Sequence, residues 1–134
     1  MTLLKPALYG LPADPPEKPH LHGGRCRCGY VFFPMQTYGC EMCGRHGEAL
    51  TSCQLAGRGT LLAEAVVHLH ADKSRAAPFT VVKIQLDDGP VVRSLLATQS
   101  AAVLPGQRLV ATLETVDRTS VGEPILDLRF TSAV

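Results

Sequence analysis

Five cysteines all fall between residues 26 and 53, and four of them form two short hooks. Cys26-Arg27-Cys28-Gly29 is followed by Cys40-Glu41-Met42-Cys43-Gly44, with eleven residues between Cys28 and Cys40. The stretch from Gly23 to Cys53 is poor in apolar residues, so it cannot bury enough surface to fold without a staple. A tetrahedral cation needs four soft ligands converging at ~2.3 Å. Two turns that each offer two sulfurs and a following glycine meet that need, with backbone amides left to hydrogen-bond the thiolates. The expected ligands are Cys26, Cys28, Cys40 and Cys43, and the expected ion is zinc, because a closed thiolate shell stabilises a fold and leaves no open position for substrate. Iron in the same shell is the competing reading. Structural zinc is worth ~10–16 kcal/mol in finger-sized units, so folding of this ribbon is expected to depend on metal. The Cys-x-Cys gap of the first hook is tighter than the usual two residues, which leaves His20 or His22 as an alternative to one sulfur, or as solvated loop residues. Cys53 is the spare, read as a small apolar filler. His68 and His70 read as ordinary strand-end residues.

Charge and composition exclude several classes. Thirteen basic and twelve acidic side chains give a formal net charge of +1, and four thiolates around a divalent cation turn it to −1. Residues 51–134 carry eight basic and eight acidic residues, so no massed cationic face exists to displace counterions from a nucleic acid. No apolar run reaches the ~18 residues of a membrane span, and five prolines interrupt residues 1–21 where a secretory leader needs an unbroken apolar core. A cytoplasmic location without membrane contact is therefore expected, and a reducing compartment favours metal over disulfide chemistry.

Three regions follow. Residues 1–22 read as a Pro-rich extended arm, because fixed φ angles and missing amide donors exclude helix and ladder. Residues 23–53 form the zinc ribbon. Residues 54–134 switch to short alternating runs of Val, Leu, Thr and Ile with turn signals at the spacing of a small all-β barrel. The expected strands are Gly59–Leu69, Phe79–Leu86, Val91–Ala97, Arg108–Val116 and Ile125–Thr131. Alternation puts Val82, Ile84 and Leu86 on one face, and Leu126, Leu128 and Phe130 inward with Asp127 and Arg129 outward. Asp88-Gly89 reads as a type I′ hairpin turn, and Thr98 to Gly106 leaves room for little more than a helical turn.

Four segments together resemble a known family: Arg25-Cys26-Arg27-Cys28-Gly29 running into Phe32-Phe33-Pro34, Cys40 to Gly44, Leu55-Ala56-Gly57-Arg58-Gly59-Thr60, and Leu86-Asp87-Asp88-Gly89-Pro90. The family is the one named for its domain of unknown function, number 35 (DUF35). The resemblance implies a mainly β fold, with an N-terminal rubredoxin-like zinc ribbon followed by a five-stranded OB-fold barrel. It also implies a non-catalytic accessory subunit of a thiolase-like or other acyl-CoA enzyme, whose CoA thioester is handled through the complex. The active site would then lie on the partner chain. Two features differ from the family pattern: the first hook is Cys-x-Cys, and a Pro-rich arm stands where a helix is usual.

Residue-level reading agrees that catalytic equipment is missing from the sequence, since no paired carboxylates, Ser/His/Asp set or Gly-rich phosphate loop can be assigned. Phe32, Phe33 and Pro34 are candidate partner or CoA contacts, because so small a ribbon has little interior for two adjacent rings and at least one is expected to be exposed. The alternative packs Phe32 on the barrel and Phe33 over the metal. Arg58 either pairs with Asp87 or Asp88 or meets a CoA phosphate, and Arg25 and Arg27 serve a phosphate or neutralise the thiolates. A single-stranded nucleic-acid binder and a rubredoxin-like electron carrier are the competing functions. The first lacks stacking rings, with Phe79 alone between residues 79 and 97, and the second needs iron.

Overall fold

The computed structural model describes residues 2–11, 19–68 and 78–133. Among them the chain is built of strands: β1 (Thr2–Leu3), β2 (Tyr9–Gly10), β3 (His20–Cys26), β4 (Val31–Phe32), β5 (Leu50–Ala56), β6 (Arg58–Val67), β7 (Phe79–Leu86), β8 (Val91–Leu95), β9 (Arg108–Arg118) and β10 (Pro124–Ser132). One 3-10 turn, Gly47–Ala49, precedes β5. No described helix is long and apolar enough to cross a membrane.

The period-2 pattern of the second half builds the barrel. Val82, Ile84 and Leu86 of β7 are buried while Lys83 and Gln85 are exposed, as alternation requires. Strands run in the order β1-β10-β9-β6-β7-β8. A parallel bridge between Leu96 and Phe130 then brings the end of β8 back to β10, with the Ala97 N–H donating to the Phe130 carbonyl at 2.8 Å. Strands β6 to β10 thus curl into the five-stranded OB barrel, which is partly open and joined between β8 and β10 at this one bridge. Its core joins Leu61, Val82, Ile84, Leu86, Val92, Leu109, Ala111 and Phe130. Val103 adds to it from the β8–β9 connection. That connection holds two turns, Ala97–Ser100 and Leu104–Gln107, rather than a helical turn.

Ribbon and barrel share this core. Strand β3 pairs with β5 along its whole length and with β2 and then β4 on its other edge. Leu21 of β3 and Leu55 of β5 are buried among the barrel residues. Both strands run across the expected limits at 22/23 and 53/54. Gly59 explains the Gly-Arg-Gly-Thr segment. It sits in β6 between Leu86 of β7 and Leu109 of β9, and a Cβ there would run into the Gln85 carbonyl.

Three expectations are corrected. The arm does form ladders: Thr2 and Leu3 pair in parallel with Ile125 and Leu126, and Tyr9 and Gly10 pair with Leu21 and His20. Both short strands fall where no proline removes a donor. Pro12, Pro15 and Pro16 lie outside the described residues, as do Leu69 and His70. Asp127 is not on a solvated face, because the arm covers that side of β10 and leaves it 8% exposed. The β7–β8 connection is not a two-residue turn on Asp88-Gly89. The Gly89 N–H donates to the Leu86 carbonyl at 3.0 Å, so Asp87 and Asp88 are the central positions and Gly89 follows at φ +122°. This is a three-residue hairpin loop with glycine at the position that demands positive φ.

Candidate metal centre and its surroundings

The first hook closes at the end of β3. The Gly29 N–H donates to the Cys26 carbonyl and the Cys26 N–H to the Tyr30 carbonyl, both at 2.9 Å. The second closes through the Gly44 N–H to the Cys40 carbonyl at 2.9 Å and the Cys40 N–H to the Arg45 carbonyl at 2.7 Å. Cys26 and Cys40 are buried while Cys28 and Cys43 stand at the surface. The four Sγ atoms lie within 4.8 Å of one another, with Cys26–Cys43 at 3.5 Å and Cys28–Cys40 at 3.6 Å. Sulfurs ~2.3 Å from a tetrahedral centre stand ~3.8 Å apart, so the cluster has the size to hold a metal ion. The Met42 N–H donates to the Cys40 Sγ at 3.4 Å, the amide support that a thiolate requires.

The single-residue gap of the first hook works because Cys26 is still on the strand while Cys28 is already in the turn. The histidine alternative is not taken up. His20 and His22 stack edge to face at 5.0 Å, beside Gly10 of β2, and the four sulfurs form the only group of three or more potential ligands that converges among the described residues.

The thiols divide their protons unevenly. Cys28, despite the Tyr30 amide that favours its thiolate, is pushed up to about 11 by desolvation and by the thiols of Cys26, Cys43 and Cys40. Cys40, despite desolvation, is drawn down to about 7 by the amides of Cys43 and Met42 and by the thiols of Cys28 and Cys26. Four thiolates cannot share so small a space without a cation to offset them.

Beneath the cluster the ribbon has a small core of its own, in which Cys26, Cys40, Leu50 and Phe32 are buried together, with Tyr30 and Met35 against them. Phe32 is 4% exposed, its ring stacked on Tyr30 at 6.2 Å. Phe33 packs against the barrel core instead. The internal roles of the two rings are thus the reverse of the packing alternative read from sequence, and neither ring is fully exposed. Pro34 is exposed, and the prominent apolar side chains of the ribbon are Tyr38 and Met42. Gln36 fixes that loop, accepting from the Tyr38 N–H at 2.6 Å and the Gly39 N–H at 3.1 Å. Cys53 is half-buried and packs against the barrel core, where burial pushes its thiol up.

Arg58 makes no ion pair among the described residues. Asp87 pairs instead with Arg108, which donates through both terminal nitrogens at 2.7 and 2.5 Å and also reaches the Thr60 hydroxyl at 3.1 Å. That guanidinium holds the Asp87 carboxyl below its usual range, with Arg58 adding to the effect from further away. Asp88 accepts the Ala56 N–H at 2.7 Å and so ties the hairpin to the ribbon. The Leu-Asp-Asp-Gly-Pro segment is therefore a structural joint.

A second polar group, invisible in the sequence, clasps the arm. The Tyr9 hydroxyl donates to Asp127 Oδ1 at 2.5 Å, and Arg129 donates to Asp127 Oδ2 at 2.6 Å. Arg129 also lies 3.6 Å from Glu114, which accepts from the backbone and hydroxyl of Thr98. Burial and the Asp127 carboxylate push the Tyr9 hydroxyl up to about 12. Asp127 is held below its usual value in spite of burial, because Tyr9 and Arg129 both favour its charged form. The clasp borders a cleft of about 290 Å³ between arm, ribbon and barrel, lined by Lys5, Tyr9, Phe33, Arg93, Leu128 and Phe130 among others.

Comparison with solved structures matches this architecture to a chain of the "Ltp2-ChsH2(DUF35) aldolase", with a TM-score of 0.63 at 20% identity, covering 86% of each chain. The fold is that of a DUF35 chain. No protein-family model matches, and no curated protein sequence does.

Proposed function

We propose that this chain is a non-catalytic, zinc-binding accessory subunit of an enzyme complex that processes acyl-CoA, and that it stabilises its partner and helps to wall the CoA and acyl channel. The observation that carries the reading is the fold it shares, over 86% of both chains, with a DUF35 chain of an aldolase assembly. Zinc suits the cluster because four thiolates in a closed shell satisfy a d¹⁰ cation and leave no position for substrate. Bound there, the ion would supply a structural cross-link between the two hooks and no chemistry. The polar side chains that the fold buries or pairs, Asp127, Arg129, Tyr9, Asp87 and Arg108, are engaged with one another, which suits a scaffold.

Contacts to the partner fall to what remains outward. The accessible part of Phe33 borders an open groove of about 580 Å³ between the ribbon and the β7–β8 hairpin, and Pro34 beside it in the chain is exposed. Arg58, exposed and without an ion pair among the described residues, is the candidate for a phosphate or a partner carboxylate; Phe32 acts by holding the groove wall from within. The division into arm (1–22), ribbon (23–53) and barrel (54–134), and the cytoplasmic location, belong to the same reading. Co-expression with a thiolase-like or aldolase-like neighbour tests it. The chain should copurify in a fixed stoichiometry and the neighbour alone should be insoluble or inactive. A neighbour that turns over at full rate without it would overturn the reading.

A further inference from the structure

Strand β8 carries a pattern that its own fold does not explain. In an antiparallel ladder, hydrogen-bonded and non-hydrogen-bonded pairs alternate. The Leu96 N–H donates to the Thr80 carbonyl at 2.9 Å and the Leu86 N–H to the Pro90 carbonyl at 2.9 Å. The pairs between them, Val82 with Ser94 and Ile84 with Val92, are therefore the hydrogen-bonded ones. The N–H and C=O groups of Val91 and Arg93 point away from β7, along the terminal edge of the sheet. Beyond the Leu96–Phe130 bridge, no described strand pairs with that edge.

Lys83 stands directly opposite Arg93 in this ladder, both side chains exposed. Theirs is a non-hydrogen-bonded pair, the closer kind, with Cα atoms ~4.5 Å apart. Like charges so placed destabilise a sheet, and neither makes an ion pair with a described residue. One edge cation blunts unwanted strand pairing. A second on the inner neighbour adds nothing to that protection and only repels. Val91, 45% exposed, and the half-buried Val81 and Leu95 flank the two cations, and Lys5 and Arg93 both border the cleft beside β8. The edge thus offers backbone partners, alternating apolar and cationic side chains, and two cations without an ion-pair partner among the described residues.

We propose that the outer edge of β8 takes up an extended acidic segment of the partner chain, which adds as a strand beside Val91 and Arg93 and places carboxylates on Lys83 and Arg93. Addition of a strand supplies main-chain hydrogen bonds, and the side chains set the choice of sequence. The inference rests on the accessory-subunit reading, but its test does not require the partner. A short synthetic peptide of alternating glutamate and valine is titrated into the full chain and followed by amide NMR. A matching peptide of alternating lysine and valine, and inorganic phosphate, serve as comparisons. The glutamate peptide should protect the Val91 and Arg93 amides from exchange and bind more weakly as salt is raised. Lys83→Gln with Arg93→Gln should weaken it about tenfold at low salt. The same double variant should raise the melting temperature of the free chain, because it removes the repulsion. Equal binding of the lysine peptide, or phosphate binding without edge-amide protection by the glutamate peptide, would overturn the proposal. So would no binding at all. Copurification with an enzyme neighbour alongside a negative peptide titration would leave the subunit role standing and remove this edge from it.

Discussion

Tyr9→Phe removes a single oxygen from the clasp that holds the arm to the barrel, and its cost can be worked from the surroundings of that atom. The ring is 2% exposed and keeps its packing in the variant. What is lost is the 2.5 Å hydrogen bond to Asp127, a bond to a charged acceptor worth about 1.5–3 kcal/mol. The Lys5 N–H, which donates to the same hydroxyl at 3.1 Å, belongs to an exposed residue and turns to water. Arg129 stays on Asp127, so the carboxylate is not orphaned and the larger penalty of an unpaired buried charge is avoided. A loss of about 2 kcal/mol with a urea slope of about 1–3 kcal/mol/M lowers the midpoint by about 1 M. The pH dependence has a definite sign. Asp127 titrates below its usual value when folded, so its contribution is present above the ordinary carboxylate range and is lost as pH falls through the folded pKa. Tyr9 titrates higher when folded, so its contribution is complete below its ordinary value of 10.0 and is lost as pH rises through about 12. The difference between wild type and variant should be flat through neutral pH and shrink at both extremes. An unchanged urea midpoint at pH 7 would refute the clasp.

Gly59→Ala should cost about 1–3 kcal/mol through overpacking, because its Cβ meets the Gln85 backbone rather than a movable side chain; a wild-type urea midpoint would contradict this. Arg108→Ala should lower the melting temperature only slightly, and less again in high salt, since its pair with Asp87 is exposed and screened; calorimetry at two salt concentrations reads both effects. Phe33→Asp should destabilise the chain by about 2 kcal/mol or more by placing a carboxylate against the barrel core, as measured by urea unfolding.

Much of the barrel is legible because it follows local rules. Phe79–Leu86 reads directly from alternation, and the other four barrel strands lie within a few residues of their expected limits. The cysteine hooks are legible for the same reason, since spacing and following glycines are short-range signals. What is not legible depends on distant partners. The arm's strands exist because β10 and β3 offer edges to them. Asp127 alternates as an outward residue should, yet the outward face is occupied by Tyr9, more than a hundred positions away in sequence. Arg58 is the candidate for Asp87 in the sequence, and only the β6–β9 pairing, which sets Thr60 opposite Arg108, brings Arg108 to it instead. The two phenylalanines are adjacent, and where the chain leaves β4 after Phe32 they turn to opposite cores.

The metal content of the purified chain, read by elemental analysis together with the amide spectrum of the ribbon, bears most directly on the four-sulfur cage. One zinc ion per chain is expected, with Cys40→Ser losing both the ion and the dispersion of resonances from Gly23 to Cys53, because three thiolates hold zinc far less well than four. A wild-type chain that carries no metal while those resonances remain dispersed would contradict it.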